Sequence, residues 1–125
     1  MPRVLFDTTL IVHLYRKKKE AFHILNKYKN QEMCISIVTY VEFVANANRK
    51  KEARKTLRSY TILPIDDRVS ETVKKQSFLY EVPKTQNCDF LIACTAMSHG
   101  ITLVTNNEKH FNKYRGLKTD FYSTS

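Results

Sequence analysis

Three acidic residues in this chain sit where carboxylates are unusual: Asp7, Glu42 and Asp89, each embedded in apolar sequence, VLFD, TYVEFV and CDFLIA. An acid beside a core is costly to bury without a partner. Three acids brought together would also repel one another, and a divalent cation removes that repulsion. Carboxylate oxygens are the ligands that Mg²⁺ and Mn²⁺ prefer. A cation held this way can activate water and steady charge on a phosphate. Each acid also has a plainer reading. Asp7 could be a helix N-cap. Thr39-x-x-Glu42 fits a capping box. Asp89 could rest on the positive end of its own helix.

Which reading holds depends on the elements that carry the acids. Val4-Leu5-Phe6 reads as a buried strand ending at Asp7. Leu10, Ile11 and Leu14 are spaced for one helical face, the basic knob Arg16 to Lys19 breaks that pattern, and Ala21, Ile24, Leu25 and Tyr28 resume it. Met33 to Ser36 reads as a second strand. The helix expected after it runs from Thr39 to about Asn48, with Val41, Val44 and Ala45 facing inward. A further helix is expected from Glu52 to about Tyr60, then a short strand stopped by Pro64. Asp66 or Asp67 caps the next helix, on which Val69, Val73, Gln76 and Tyr80 recur. Pro83 to Asn87 reads as a loop. Asp89 to Ser98 reads as a buried helix closed by Gly100. A strand over Ile101 to Val104, a helix over Asn106 to Tyr114 and a last strand over Leu117 to Phe121 complete the chain. The tail Ser123-Thr124-Ser125 is expected to fray.

Alternating strands and helices predict an α/β fold with a parallel sheet covered on both faces. In such a sheet ligands bind beyond the carboxyl ends of the strands. Asp7 and Glu42 should converge at that edge, and Asp89 joins them if its helix starts there.

The 125 residues suit one domain, 1–125, at 42% hydrophobic and 26% charged. Lys and Arg number 21 against 12 Asp and Glu, a net charge of +9. That points to a polyanionic partner, nucleic acid before membrane. The basic residues fall in two groups. One is Arg16 to Lys19; the other is Arg49, Lys50, Lys51, Arg54, Lys55 and Arg58. Lys50, Lys51, Arg54 and Lys55 are candidate RNA contacts, with a solvated basic face as the alternative. Tyr15, Tyr40 and Phe43 could stack on bases or belong to a core or partner surface. The three cysteines, Cys34, Cys88 and Cys94, have no CxxC spacing and speak against a disulfide framework or zinc site. A cytoplasmic location and no membrane span are expected.

The ordered pieces VLFDTTLIVHLY, ISIVTYVEFVANA, CDFLIACTAMSHGITLVTNNEKHF and GLKTDFY resemble the PIN-domain family, within it the VapC-type toxins of toxin–antitoxin pairs. The resemblance covers essentially the whole chain. It implies a five-stranded parallel sheet sandwiched between helices. It implies a Mg²⁺- or Mn²⁺-dependent endoribonuclease acting on tRNA, rRNA or mRNA, a homodimer, and inhibition by a cognate antitoxin. Asp7, Glu42 and Asp89 match the first three acidic positions of the family. The fourth acid of many relatives falls at Asn107 or His110 here, and neither is acidic. Asn107 can complete the site through its amide or a water. His110, a better ligand for Mn²⁺ than for Mg²⁺, and the hydroxyls of Thr105 and Thr8 are accessory candidates, the threonines with capping as their alternative. Two other functions stay open: a non-catalytic RNA- or partner-binding module, and a PIN nuclease of RNA processing outside toxin–antitoxin systems.

Overall fold

A computed structural model describes residues 1–123. The expected fraying of the tail falls partly on residues 124 and 125, outside the described residues.

Five short strands form one parallel sheet in the order β3-β2-β1-β4-β5. They are β1 (Arg3–Phe6), β2 (Glu32–Ser36), β3 (Thr61–Leu63), β4 (Thr102–Thr105) and β5 (Thr119–Phe121). The register pairs Leu5 with Cys34 on one side and with Leu103 on the other. The middles of the central strands are apolar because both faces are covered, as parallel sheets require. One core layer gathers Leu5, Cys34, Leu103, Ile92, Ala93 and Phe111. The other gathers Val4, Phe6, Leu10, Ile11, Ile35 and Val104. Alternate residues of β1 thus feed opposite faces, as the two-residue period of a strand dictates.

The helices are α1 (Thr8–Tyr15), α2 (Lys19–Tyr28), α3 (Ile37–Tyr40), α4 (Lys50–Thr56), α5 (Asp67–Leu79), α6 (Asn87–His99) and α7 (Glu108–Phe111). The expected parallel α/β sandwich is therefore present, and most elements lie close to their expected positions. Asp66 caps α5, its carboxylate accepting from Val69 N–H at 2.9 Å. Gly100 ends α6 with φ +63°, a left-handed conformation that glycine adopts without penalty. Among the described residues no helix is long and apolar enough to cross a membrane.

Several expectations need correcting. The helix placed at Thr39 to Asn48 is a single α turn, α3, followed by a π-helical turn, Val41–Ala45. The widened turn rotates side chains away from a regular helical register. Val41 is 54% exposed and Ala45 is exposed, so neither faces inward, while Val44 is half-buried against the core. The capping-box reading of Glu42 also fails. The N-cap is Ser36, whose hydroxyl accepts from Val38 N–H at 3.0 Å, and Thr39 lies inside the helix. The expected helix from Glu52 to Tyr60 starts at Lys50 and tightens into a 3₁₀ turn at Leu57–Ser59. The loop before Asp89 contains a 3₁₀ turn, Lys84–Gln86, and α6 begins two residues before the acid, at Asn87. The last helix shrinks to the single turn α7.

Candidate functional site

All three acids lie beyond the carboxyl ends of the strands. Asp7 directly follows β1. Glu42 follows β2 by one turn of α3. Asp89 is in the first turn of α6, which runs back along the sheet to feed β4.

Asp7 is 1% exposed. Its Oδ1 accepts from Thr8 N–H at 2.8 Å, so it is the N-cap of α1, and its Oδ2 accepts from the Thr105 hydroxyl at 2.7 Å. Capping and membership of the acid cluster are thus two uses of one side chain. Burial pushes its pKa up from 3.8 to about 6. The Thr105 and Thr8 hydrogen bonds oppose that shift, and the charges of Asp89 and Glu42 add to it. Electrostatically, the three acids therefore form one group.

Glu42 sits on the π-helical turn and is half-buried. Its Oε1 accepts from the Thr8 hydroxyl at 2.6 Å. The Thr8 oxygen is also 2.9 Å from the hydroxyl of Thr39, which is fully buried. The main-chain carbonyl of Glu42 accepts from the Asn46 side-chain amide at 3.0 Å.

Asp89 is 22% exposed at its side chain, and its Oδ2 lies 2.6 Å from His110 Nδ1. The same ring nitrogen lies 2.7 Å from the amide of Asn107. A carboxylate only accepts, so the Nδ1 proton points towards Asp89. The Asn107 amide matches that tautomer when it turns its oxygen towards the ring. Asn107 therefore meets the cluster through His110. Thr105 donates to Asp7 and accepts from Asn107 N–H at 3.1 Å, but it does not cap the last helix: the N-cap of α7 is Asn107, with no side-chain cap hydrogen bond.

The basic candidates divide. Lys50 Nζ donates to the carbonyl of Val44, at 3.3 Å, and to that of Ala45, closing the π-helical turn. Lys51, Arg54 and Lys55 are exposed on α4. Beside Glu42 lies a groove of about 590 Å³ between α1 and α4, lined among others by Tyr15, Arg16, Phe43 and Arg49. Tyr15 and Phe43 meet edge to face at 5.5 Å in its wall.

Sequence reasoning did not single out Thr39 for its own hydroxyl, nor Asn46. The signal was present: Ser36, Thr39 and Glu42 are three residues apart, which places them on one side of a helical turn.

The donor set is all oxygen, it is crowded with negative charge, and the buried carboxylate at its centre resists ionisation. In type and charge these residues fit a hard divalent cation. As the side chains stand, no three Asp, Glu, His or Cys residues among the described residues are grouped to hold an ion. One oxygen of each outer acid is held by a neighbour, Glu42 Oε1 by Thr8 and Asp89 Oδ2 by His110.

The five-stranded parallel sheet in the order 3-2-1-4-5 is that of an α/β domain, and it carries the three acids at its carboxyl edge. The PIN domain model matches residues 4–117, and the chain belongs to the PIN-domain family. Among its relatives is Ribonuclease VapC1 of Methanocaldococcus jannaschii, 28% identical over 130 residues, covering 93% of this chain and 85% of the relative. Ribonuclease VapC1 of Rickettsia felis is 29% identical over 124 residues, 92% of each chain. Among solved structures, a toxin–antitoxin complex from Klebsiella pneumoniae superposes with a TM-score of 0.77 at 26% identity, over 91% of this chain and 94% of that one. VapBC2 from Rickettsia felis, bound to a DNA fragment from its promoter, has a TM-score of 0.79 at 20% identity, over 97% and 99%; that likeness is one of fold.

Proposed function

We propose that this chain is a divalent-metal-dependent endoribonuclease and the toxin of a toxin–antitoxin pair. The observation that carries the reading is the convergence of Asp7, Glu42 and Asp89 beyond the carboxyl ends of the strands, with Asp7 buried and the charges of the other two acting on it. The PIN-family membership and the relatives named Ribonuclease VapC1 support it.

In this reading Asp7, Glu42 and Asp89 hold Mg²⁺ or Mn²⁺. When bound, such an ion supplies Lewis-acid chemistry for a phosphodiester, activating water and neutralising phosphate charge. The chain's own residues do the rest. Thr105 holds Asp7 oriented, and Thr8 holds Glu42. His110 and Asn107 stand at the fourth acidic position and steer Asp89. Arg16 and Arg49 lead the RNA backbone along the groove towards Glu42, with Lys51, Arg54 and Lys55 adding long-range attraction. A cognate antitoxin as inhibitor, a homodimer and a cytoplasmic setting belong to the same proposal; the Klebsiella pneumoniae and Rickettsia felis neighbours were solved as toxin–antitoxin complexes.

The test is RNA cleavage in Mg²⁺ by the wild type, Asp7→Asn and Asp89→Asn. Cleavage should fall at least about a hundredfold in each variant, with the fold retained. Undiminished cleavage by both would sink the reading.

One observation favours a second reading, a non-catalytic RNA- or partner-binding module: among the described residues no three Asp, Glu, His or Cys side chains are grouped to hold an ion. Millimolar Mn²⁺ separates the two. An ion bound only to the native state raises the melting temperature by mass action, and Asp7→Asn should abolish the rise. No rise in the wild type would favour the module.

A further inference from the structure

Glu42 is the one acid of the cluster that stands on irregular backbone, and two separate sets of contacts hold it. Its main-chain carbonyl, on the π-helical turn, is bound by the Asn46 amide. Its side chain is bound by Thr8, and behind Thr8 stands Thr39.

The direction of this chain of hydroxyls follows from chemistry. A hydroxyl has a single proton and a carboxylate only accepts. The Thr8 proton therefore goes to Glu42 Oε1, 2.6 Å away. The Thr8 oxygen must then accept in the 2.9 Å contact with Thr39, so Thr39 is the donor. The order is fixed: Thr39 O–H to Thr8 O–H to the Glu42 carboxylate. Hydrogen bonds in series polarise one another, which strengthens the last of them. Thr39 is fully buried, so water does not compete for its proton. The relay also links two elements. Thr8 opens α1, after β1, and Thr39 lies in α3, after β2.

We infer that Thr39 is a positioning residue: acting through Thr8, it holds the Glu42 carboxylate in the orientation from which it takes up a divalent cation. The inference rests on the nuclease reading above. Thr39 touches neither ion nor substrate, and the capping-box role that its spacing to Glu42 suggested is not the one it plays. Its contribution is preorganisation. Partners that orient a ligand typically change metal affinity by about 10- to 100-fold when removed.

The experiment compares the wild type with Thr39→Val, which keeps the shape and loses the hydroxyl, and Thr39→Ser, which keeps the hydroxyl. Mn²⁺ binding to the intact chain is read directly from the free-ion electron paramagnetic resonance signal, and RNA cleavage is followed as a function of Mn²⁺. Thr39→Val should weaken Mn²⁺ binding roughly tenfold. Cleavage at saturating Mn²⁺ should recover, and the KM for RNA should not move. Thr39→Ser should bind Mn²⁺ within about twofold of the wild type even where its melting temperature falls with the lost methyl group. A merely structural role predicts the opposite ranking, with Thr39→Ser at least as impaired as Thr39→Val. Wild-type Mn²⁺ affinity in Thr39→Val, or equal weakening in both variants, overturns the inference and leaves the nuclease reading standing. A wild-type protein that binds no Mn²⁺ overturns both.

Discussion

The two ends of the sheet carry opposite charge and handle it differently. At the carboxyl end three acids crowd together: the Thr105 hydroxyl and the Thr8 main-chain amide orient Asp7, the Thr8 hydroxyl orients Glu42, and the His110 ring meets Asp89. At the amino end Arg3, which opens β1, and Arg68, in the first turn of α5, both reach the same nitrogen of His99. Their Nη2 atoms lie 3.1 Å and 3.0 Å from His99 Nδ1. Neither guanidinium forms a salt bridge among the described residues. Because an Nδ1 that accepts from guanidinium groups cannot carry a proton, His99 is neutral there. Burial and the two arginines lower its pKa, with Asp66 opposing them. The amino end thus contains its like charges by placing a neutral acceptor between them. The carboxyl end has no such neutral spacer at its centre, where Asp7 stands. An oriented, unbalanced cluster suits the divalent cation proposed for it; a cluster spaced by a neutral acceptor is complete as it stands.

The largest test of that contrast is the stability of the metal-free protein at its acid end. The folded pKa of Asp7 is about 6, above its reference value of 3.8, so between those values the native state binds more protons than the unfolded state. Stability is therefore lost as pH rises from about 4 to about 6 and is level above. The shift of about two units corresponds to about 3 kcal/mol. Asp7→Asn should remove that dependence. Above pH 7 without metal it should be the more stable protein by up to about 3 kcal/mol, read from urea unfolding across pH. A variant that is less stable at every pH would break the contrast.

A smaller effect is expected at Thr105. Thr105→Val removes the hydroxyl that donates to Asp7 Oδ2 and leaves a buried carboxylate short of a donor. The cost should be about 1–3 kcal/mol near neutral pH, and the Asp7 pKa should rise further. Denaturant unfolding measures the first, and the pH dependence of the difference from wild type measures the second. Equal loss at pH 4 and pH 8 would mean that packing, not charge, explains the change.

The smallest effect belongs to the amino end, and its sign is reversed. His99 has a folded pKa below 6.5, so the unfolded state binds more protons in the window beneath that value. Its contribution to stability is present above 6.5 and is lost as pH falls. The partial exposure of the cluster keeps the effect modest. His99→Gln keeps an acceptor for the arginines and should flatten this branch alone. A nuclear magnetic resonance titration of the His99 ring should show a midpoint below that of an unstructured histidine. A midpoint above it would remove the neutral spacer from the comparison.

Much of the fold was legible because its signals are local. The apolar run Val4-Leu5-Phe6, the turn glycine after His99, and Asp66 ahead of Val69 each carry their structure within a few residues. The stretch from Thr39 to Asn48 was not legible in the same way. Its pattern of Val41, Val44 and Ala45 suits a regular helix, yet the chain inserts a π-helical turn there. The contacts that accompany that turn come from outside it: Lys50 reaches back to its last carbonyls, and Thr8 arrives from another helix to meet Glu42. Hydrophobic periodicity has no term for either. His110 is a similar case. Its place in the sequence marked a missing acid and an accessory candidate, but not its short contact with Asp89, which spans 21 residues.

The sequence by itself determined the types of residue at the site and the elements they follow. Acids that directly follow parallel strands converge, because parallel strands end at one edge; Asp89 joins Asp7 and Glu42 only because α6 starts at that edge. The orientation of each acid was decided only by the tertiary structure. Thr105 is 98 residues from Asp7, and Thr8 is 34 from Glu42. Hydrogen bonds across such distances form only once the sheet has brought the strand ends together. Burial, which raises Asp7 most, is likewise a property of the assembled layers and not of any stretch of chain.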